Sequence, residues 1–205
     1  MTTTHVRIAR FAATVAAVAA LVACTSGDGE GAAGTPGAAT SPATSAQATD
    51  AGREGDIRFA QMMIPHHEQA IEMAEMALAA EDVSPAVQAF ARDIEAAQAP
   101  EIAQMRGWLG AWGAPESGSG HEGHGAGDDG TGMGMMSAEE MAELAGAAGS
   151  DFDTRWLTMM IAHHEGAVTM AQEVLGSTAD PQVRDLAEAV VATQRAEIEA
   201  MRAEL

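Results

Sequence analysis

The 205-residue chain contains no lysine, no asparagine, no tyrosine and one cysteine. Lys, Asn and Tyr share AT-rich codons, so their joint absence reads as the coding bias of a GC-rich genome, not as a physical constraint. The single Cys excludes a disulfide framework within the chain. Basic charge is scarce: 10 Lys+Arg stand against 30 Asp+Glu, for a formal net charge of −20. Phosphate contacts need clustered Lys and Arg, so the composition argues against nucleic-acid binding. Aromatic residues make up 3%. Strands favour aromatic and β-branched side chains, so a β-sandwich or barrel is also disfavoured. What remains is rich in Ala, Glu, Met, Gln and Leu, which suggests helix. The 14 Met and 7 His are the unusual numbers, because most of them fall in a few places.

The N-terminus reads as a targeting segment. Arg7 and Arg10 precede an apolar run from Phe11 to Val22. That run is too short to span a bilayer comfortably and has the charged flank of a signal peptide. It ends in Leu21-Val22-Ala23-Cys24, which resembles the lipobox of bacterial lipoproteins. In that class the Cys is lipidated and becomes the mature N-terminus. Removing residues 1–23 takes away two Arg, leaving 8 − 30 = −22. The expected location is the extracytoplasmic face of the cell membrane, with acyl chains on Cys24 as the anchor. Residues 24–53 are mostly Gly, Ala, Thr, Ser and Pro with no large apolar side chain, and read as a flexible stalk. A similar stretch, residues 113–136, reads as a linker.

The blocks between and after these stretches repeat one another. Asp56-Ile-Arg-Phe-Ala-Gln-Met-Met-Ile-Pro-His-His-Glu-Gln-Ala-Ile-Glu-Met-Ala returns as Asp153-Thr-Arg-Trp-Leu-Thr-Met-Met-Ile-Ala-His-His-Glu-Gly-Ala-Val-Thr-Met-Ala, 97 residues later. Downstream the offset is 96, pairing Pro85 with Pro181, Gln98 with Gln194 and Glu101 with Glu197. Each unit predicts a His-bearing helix, a short turn and a second helix. Ser84-Pro85 and Asp180-Pro181 mark the turns, with a capping residue before Pro at the first helical position. The domain therefore spans 54–205. Residues 54–112 form one αα-hairpin, and residues 137–205 form a short helix plus the second hairpin. Ser137-Ala-Glu-Glu140 resembles a capping box that opens the short helix. Neither hairpin can bury its apolar face alone, so the expected fold is an all-α four-helix bundle. Pro65 falls mid-helix directly before His66, and the matching pattern upstream in both repeats favours a continuous, kinked helix.

At 100° per residue, Gln61, Pro65, Glu68, Glu72 and Glu75 share a polar face. The opposite face centres on Met63 and Ala70. His66 lies on one shoulder with Met73, and His67 on the other with Asp56 and Ala74. The second repeat places Met160 and Ala167 centrally, His163 with Met170 and His164 with Asp153. Glu68 and Glu165 face outward.

His with Met is a soft donor set that suits copper: thioethers select Cu(I) or Ag(I), and imidazole accepts copper in either oxidation state. Buried imidazoles are costly unless paired or metallated. The candidate metal residues are Met63, His66, His67, Met160, His163, His164, Asp56 and Asp153. His121, His124, Met133, Met135 and Met136 in the linker are auxiliary candidates. Met at helical spacing also serves as core filler. The rival site for a four-helix bundle is a di-iron centre, which needs Glu-x-x-His on two helices. No Glu-x-x-His occurs in either His-bearing helix, and the His-Glu-x-x-His of zinc hydrolases is missing too. No catalytic residue stands out, so no enzymatic activity is expected.

The twin Met-Met-Ile-x-His-His-x-x-Ala-x-x-Met-Ala motifs, each with Asp and Arg upstream, resemble the domain-of-unknown-function 305 family from Asp56 to Leu205. The resemblance implies a ferritin-like helical bundle, commonly exported, with some members implicated in copper binding and resistance. It points to Met63, His66, His67, Met160, His163 and His164 as the site. The expected protein is thus lipid-anchored and binds or sequesters copper, its partners being a metal ion and the membrane. The same residues leave open a structural or interaction bundle whose His pairs only organise the core or a homo-oligomer interface.

Overall fold

The computed structural model describes residues 43–117 and 132–205. The signal segment with Cys24, most of the stalk, and His121 and His124 lie outside the described residues. Among the described residues there are five α-helices and no strand: α1 Ala43–Ala79, α2 Pro85–Trp112, α3 Ala138–Ala145, α4 Gly149–Leu175 and α5 Pro181–Arg202. None is long and apolar enough to cross a membrane.

The expected helix signals act where the sequence puts them. Ser84 caps α2 by accepting from the Val87 amide, and Asp180 caps α5 by accepting from the Gln182 amide. Each precedes a Pro whose missing N–H costs nothing at that position. Ser137 and Glu140 form the capping box of α3. Gly113, at φ 66°, ends α2 in the left-handed conformation that glycine adopts without strain. Helix α1 runs unbroken through Pro65, as the repeat implied. It also begins at Ala43, inside the stretch expected to be stalk; the Ala-rich segment from residue 43 has enough helix propensity to extend the helix upstream.

Helix α1 packs on α2 and α4 on α5, and the two hairpins meet through α1 and α4. Their buried side chains separate into two apolar clusters. One joins Met73, Ala74 and Ala77 of α1 to Phe152, Trp156 and Met160 of α4. The other joins Phe59, Met63 and Ile64 to Ala167, Met170 and Val174. The C-terminal half of α1 therefore meets the N-terminal half of α4, so the two helices cross antiparallel. Trp156 is fully buried, and its indole N–H donates to the Met73 carbonyl oxygen of α1 at 2.8 Å. That bond satisfies the one polar atom of a large side chain that would otherwise be stranded in the core.

A polar layer between two dry cores

Between the two apolar clusters lies a single polar layer to which all four long hairpin helices contribute. In α1 it holds His66 and His67, between Ile64 and Ala70. In α4 it holds His163 and His164, between Ile161 and Ala167. Helix α2 adds Gln98 and Glu101, and α5 adds Gln194 and Glu197. All four imidazoles are 0–1% exposed, and both glutamines are 3% exposed.

The repeat is visible in the contacts. His67 Nε2–H donates to Glu101 Oε2 at 2.7 Å, and His164 Nε2–H donates to Glu197 Oε2 at 2.8 Å. Glu68 pairs with Arg106 at the surface and Glu165 with Arg202, so both face outward as expected. The His66 and His163 rings lie against each other, centroids 3.7 Å apart and planes inclined at 37°. Burial, reinforced by His67 and His164, pulls the His66 imidazole down to about 3, against the opposing bond to the Met133 carbonyl. His163 is held well below its ordinary value by burial and then by His66, His164 and His67. Both rings are therefore neutral at physiological pH.

Neutral rings have one N–H and one bare lone pair. His66 Nε2 lies 3.0 Å from the Met133 carbonyl oxygen. A carbonyl only accepts, so Nε2 carries the proton and Nδ1 the lone pair. That Nδ1 is buried without a partner, as are Nδ1 of His67 and His164 and both ring nitrogens of His163. Gln98 Oε1 and Gln194 Oε1 are also unpartnered. Among the described residues, every buried side-chain nitrogen or oxygen without a partner lies in this layer, except Asp56 Oδ1. Each such atom costs about 1–3 kcal/mol, so the layer is expensive as it stands. Hydrogen bonding at one ring nitrogen while the other is left bare is the usual arrangement of a metal-ligating His.

Met63 and Met160 are fully buried, one in each of the two clusters that flank the layer. Asp56 and Asp153 do not join it, which corrects the expectation drawn from the helical wheel. They lie ten residues before His66 and His163, about 15 Å along the helix. Asp153 instead accepts from the Ser84 amide through both oxygens, at 3.2 and 3.1 Å, and so anchors the start of α2. Asp56 occupies the corresponding place beside Thr178 and Asp180. Angular position placed these carboxylates on the right face but took no account of axial distance. Among the described residues no three His, Cys, Asp or Glu side chains are grouped as a ready-made metal cage. The donor set is soft and sparse: imidazole lone pairs in a layer bordered by thioethers.

Residues 132–136 are docked on the bundle, whereas the sequence suggested a loose linker. Met133 packs on one apolar cluster and Met136 on the other, and Met135 is half-buried. Gln98, Glu101, Gln194 and Glu197 are the layer residues that sequence reasoning passed over. Their recurrence at the 96-residue offset was the available signal, but attention to helices bearing His hid it.

Comparisons with known proteins bear on the fold and the family. A model of the family described as "Domain of unknown function (DUF305)" matches residues 56–205. A DUF305 fragment from Deinococcus radiodurans is 33% identical, covering 73% of this chain and 93% of its own, with a TM-score of 0.63. A DUF305 protein from Streptomyces coelicolor is 32% identical, covering 72% and 89%, also at 0.63. CopM in its Cu(II)-bound form is 35% identical, covering 72% and 93%, at 0.59. CopM has also been solved with Cu(I), with Ag and in the apo form. No curated protein matches the chain.

Proposed function

Because the chain belongs to the DUF305 family, whose pattern spans residues 56–205, we propose that it binds a soft metal ion, copper above all, in its polar layer. On this reading it is exported, held to the membrane through a lipidated Cys24, and buffers or sequesters copper without catalysing a reaction. The observation that carries the proposal is the set of buried, unpartnered imidazole nitrogens on His66, His67, His163 and His164. A d10 monovalent ion such as Cu(I) accepts few soft donors and needs no carboxylate cage. Thioethers of Met63 and Met160 border the layer, and Met133, Met135 and Met136 are auxiliary donors at its edge. CopM, similar over most of its length, holds Cu(I), Cu(II) and Ag in its structures.

The two His–Glu bonds favour a second reading, in which the imidazoles merely organise the core. Titrating metal-free protein with Cu(I) against a competing chelator, with the thermal midpoint followed in parallel, separates the two. A ligand that binds only the folded state raises the midpoint, so Cu(I) and Ag(I) are expected to do so. A wild type indifferent to Cu(I), Ag(I) and Cu(II) alike would leave the structural reading standing.

A further inference from the structure

The two repeats differ at one position in a way their sequences do not explain. Gln69 and Gly166 are equivalent, and both touch the segment 132–136. Gln69 grips the Met136 backbone twice: its Nε2 donates to the carbonyl at 2.8 Å and its Oε1 accepts from the amide at 2.7 Å. At Gly166 a Cβ would fall on the Met133 carbonyl oxygen, and at Gly134 a Cβ would fall on the Ala162 carbonyl oxygen. One repeat thus supplies a clamp and the other a notch. Seated between them, Met133 holds φ 63° and Gly134 φ 80°. Methionine rarely adopts that left-handed conformation, so docking must hold it there.

Docking makes the two facing imidazoles unequal. The Met133 carbonyl engages His66 Nε2, whereas His163 has no partner at either nitrogen. We propose that residues 132–136 form a strap built into the metal site, which locks His66 in the Nε2–H tautomer and covers the His66–His163 pair. Gln69 and Gly166 are its positioning residues. The strap presents His66 Nδ1 as a ready donor and slows loss of the ion. This rests on the metal-binding reading above and assigns the control of that site to residues outside the His pairs.

The test has two readouts on the full-length protein. Long-range 1H–15N spectra of metal-free protein report the tautomer directly. Transfer of bound Ag(I) to a chelator reports retention. Wild type is expected to show His66 as Nε2–H. Gly166→Ala should mix the tautomers and speed Ag(I) release by about 10- to 100-fold, the usual cost of losing a group that orients a ligand. Gln69→Leu, which removes two bonds and adds no bulk at the notch, should shift both readouts the same way and stands in if Gly166→Ala does not fold. Gly107→Ala, at a helical glycine with nothing within 4 Å of an added Cβ, should change neither. Wild-type tautomer and release in both variants would overturn the strap, as would a wild-type His66 protonated at Nδ1. A wild type that binds no Ag(I) overturns the function proposed above and the retention role with it. That failure is recognisable because the tautomer readout needs no metal.

Discussion

Asp56 and Asp153 hold the same place in the repeat but differ in their environment. Asp153 is satisfied by the Ser84 amide. Asp56 is 2% exposed with Oδ1 unpartnered. Burial raises its pKa and Asp180 adds to the rise, against Thr178 and Arg53. A folded-state value above the unfolded one gives a contribution that is complete below the ordinary 3.8 and is lost as pH rises through the folded value. Asp56→Asn removes the buried charge. Its thermal midpoint should exceed wild type at pH 7 by about 2–4 °C, the shift that about 1 kcal/mol produces in a chain of this size. The gap should close toward pH 4, and equal midpoints at pH 7 would contradict the account. The imidazoles call for a different variant. His67 and His164 each bond only a partly exposed Glu, so water can replace the lost partner. His67→Ala with His164→Ala should therefore lower the metal-free midpoint modestly while removing most of the increase caused by Cu(I). A large loss without metal and no change in the Cu(I) increment would mean that these rings serve structure alone.

At the scale of elements, caps and turns were legible because they depend on neighbouring residues. Ser84, Asp180 and the Ser137/Glu140 box act locally, and the structure uses them as the sequence implied. The docking of 132–136 was not legible, because it depends on a notch at Gly166 that exists only once α4 is folded. Pro100 was passed over as well. It lies inside α2 next to Glu101, as Pro65 lies inside α1 next to His66. Each frees the carbonyl four residues back, and the second repeat has Ala162 and Ala196 instead. The His67–Glu101 pair is thus flanked by two interrupted helical ladders and His164–Glu197 by none. If His121, His124, Met133, Met135 and Met136 act as auxiliary donors, replacing residues 116–136 by a Gly/Ser linker should lower copper stoichiometry with helicity intact. Circular dichroism and metal analysis on the same sample decide this, and unchanged stoichiometry would remove these residues as metal donors.

For the molecule as a whole, the duplicated hairpin made the all-α fold readable from the sequence, since the repeat fixes both the helices and their need for each other. The division into two dry cores was not readable. It depends on where α1 and α4 cross, and a helical wheel carries no axial coordinate. Export lies outside the described residues and is tested separately. If residues 1–23 are removed, the charge of −22 would repel an anionic lipid surface, leaving the acyl chains on Cys24 as the proposed attachment. Cys24→Ala should abolish lipidation and release the protein from the membrane fraction. Wild-type membrane levels in that variant would refute the anchor.

The indole of Trp156 sits where the two hairpins join, dry and bonded to Met73. Its counterpart in the first repeat is Phe59, while the other two tryptophans, Trp108 and Trp112, stack on each other on α2. An excited indole sealed from water emits toward the blue, and it reddens when water reaches it. The seam between α1 and α4 therefore carries its own fluorophore. Subtracting the emission of a Trp156→Phe variant, which restores the residue found in the other repeat, isolates that signal. Any event that parts or tightens the hairpins then becomes visible in the spectrum of the unlabelled protein.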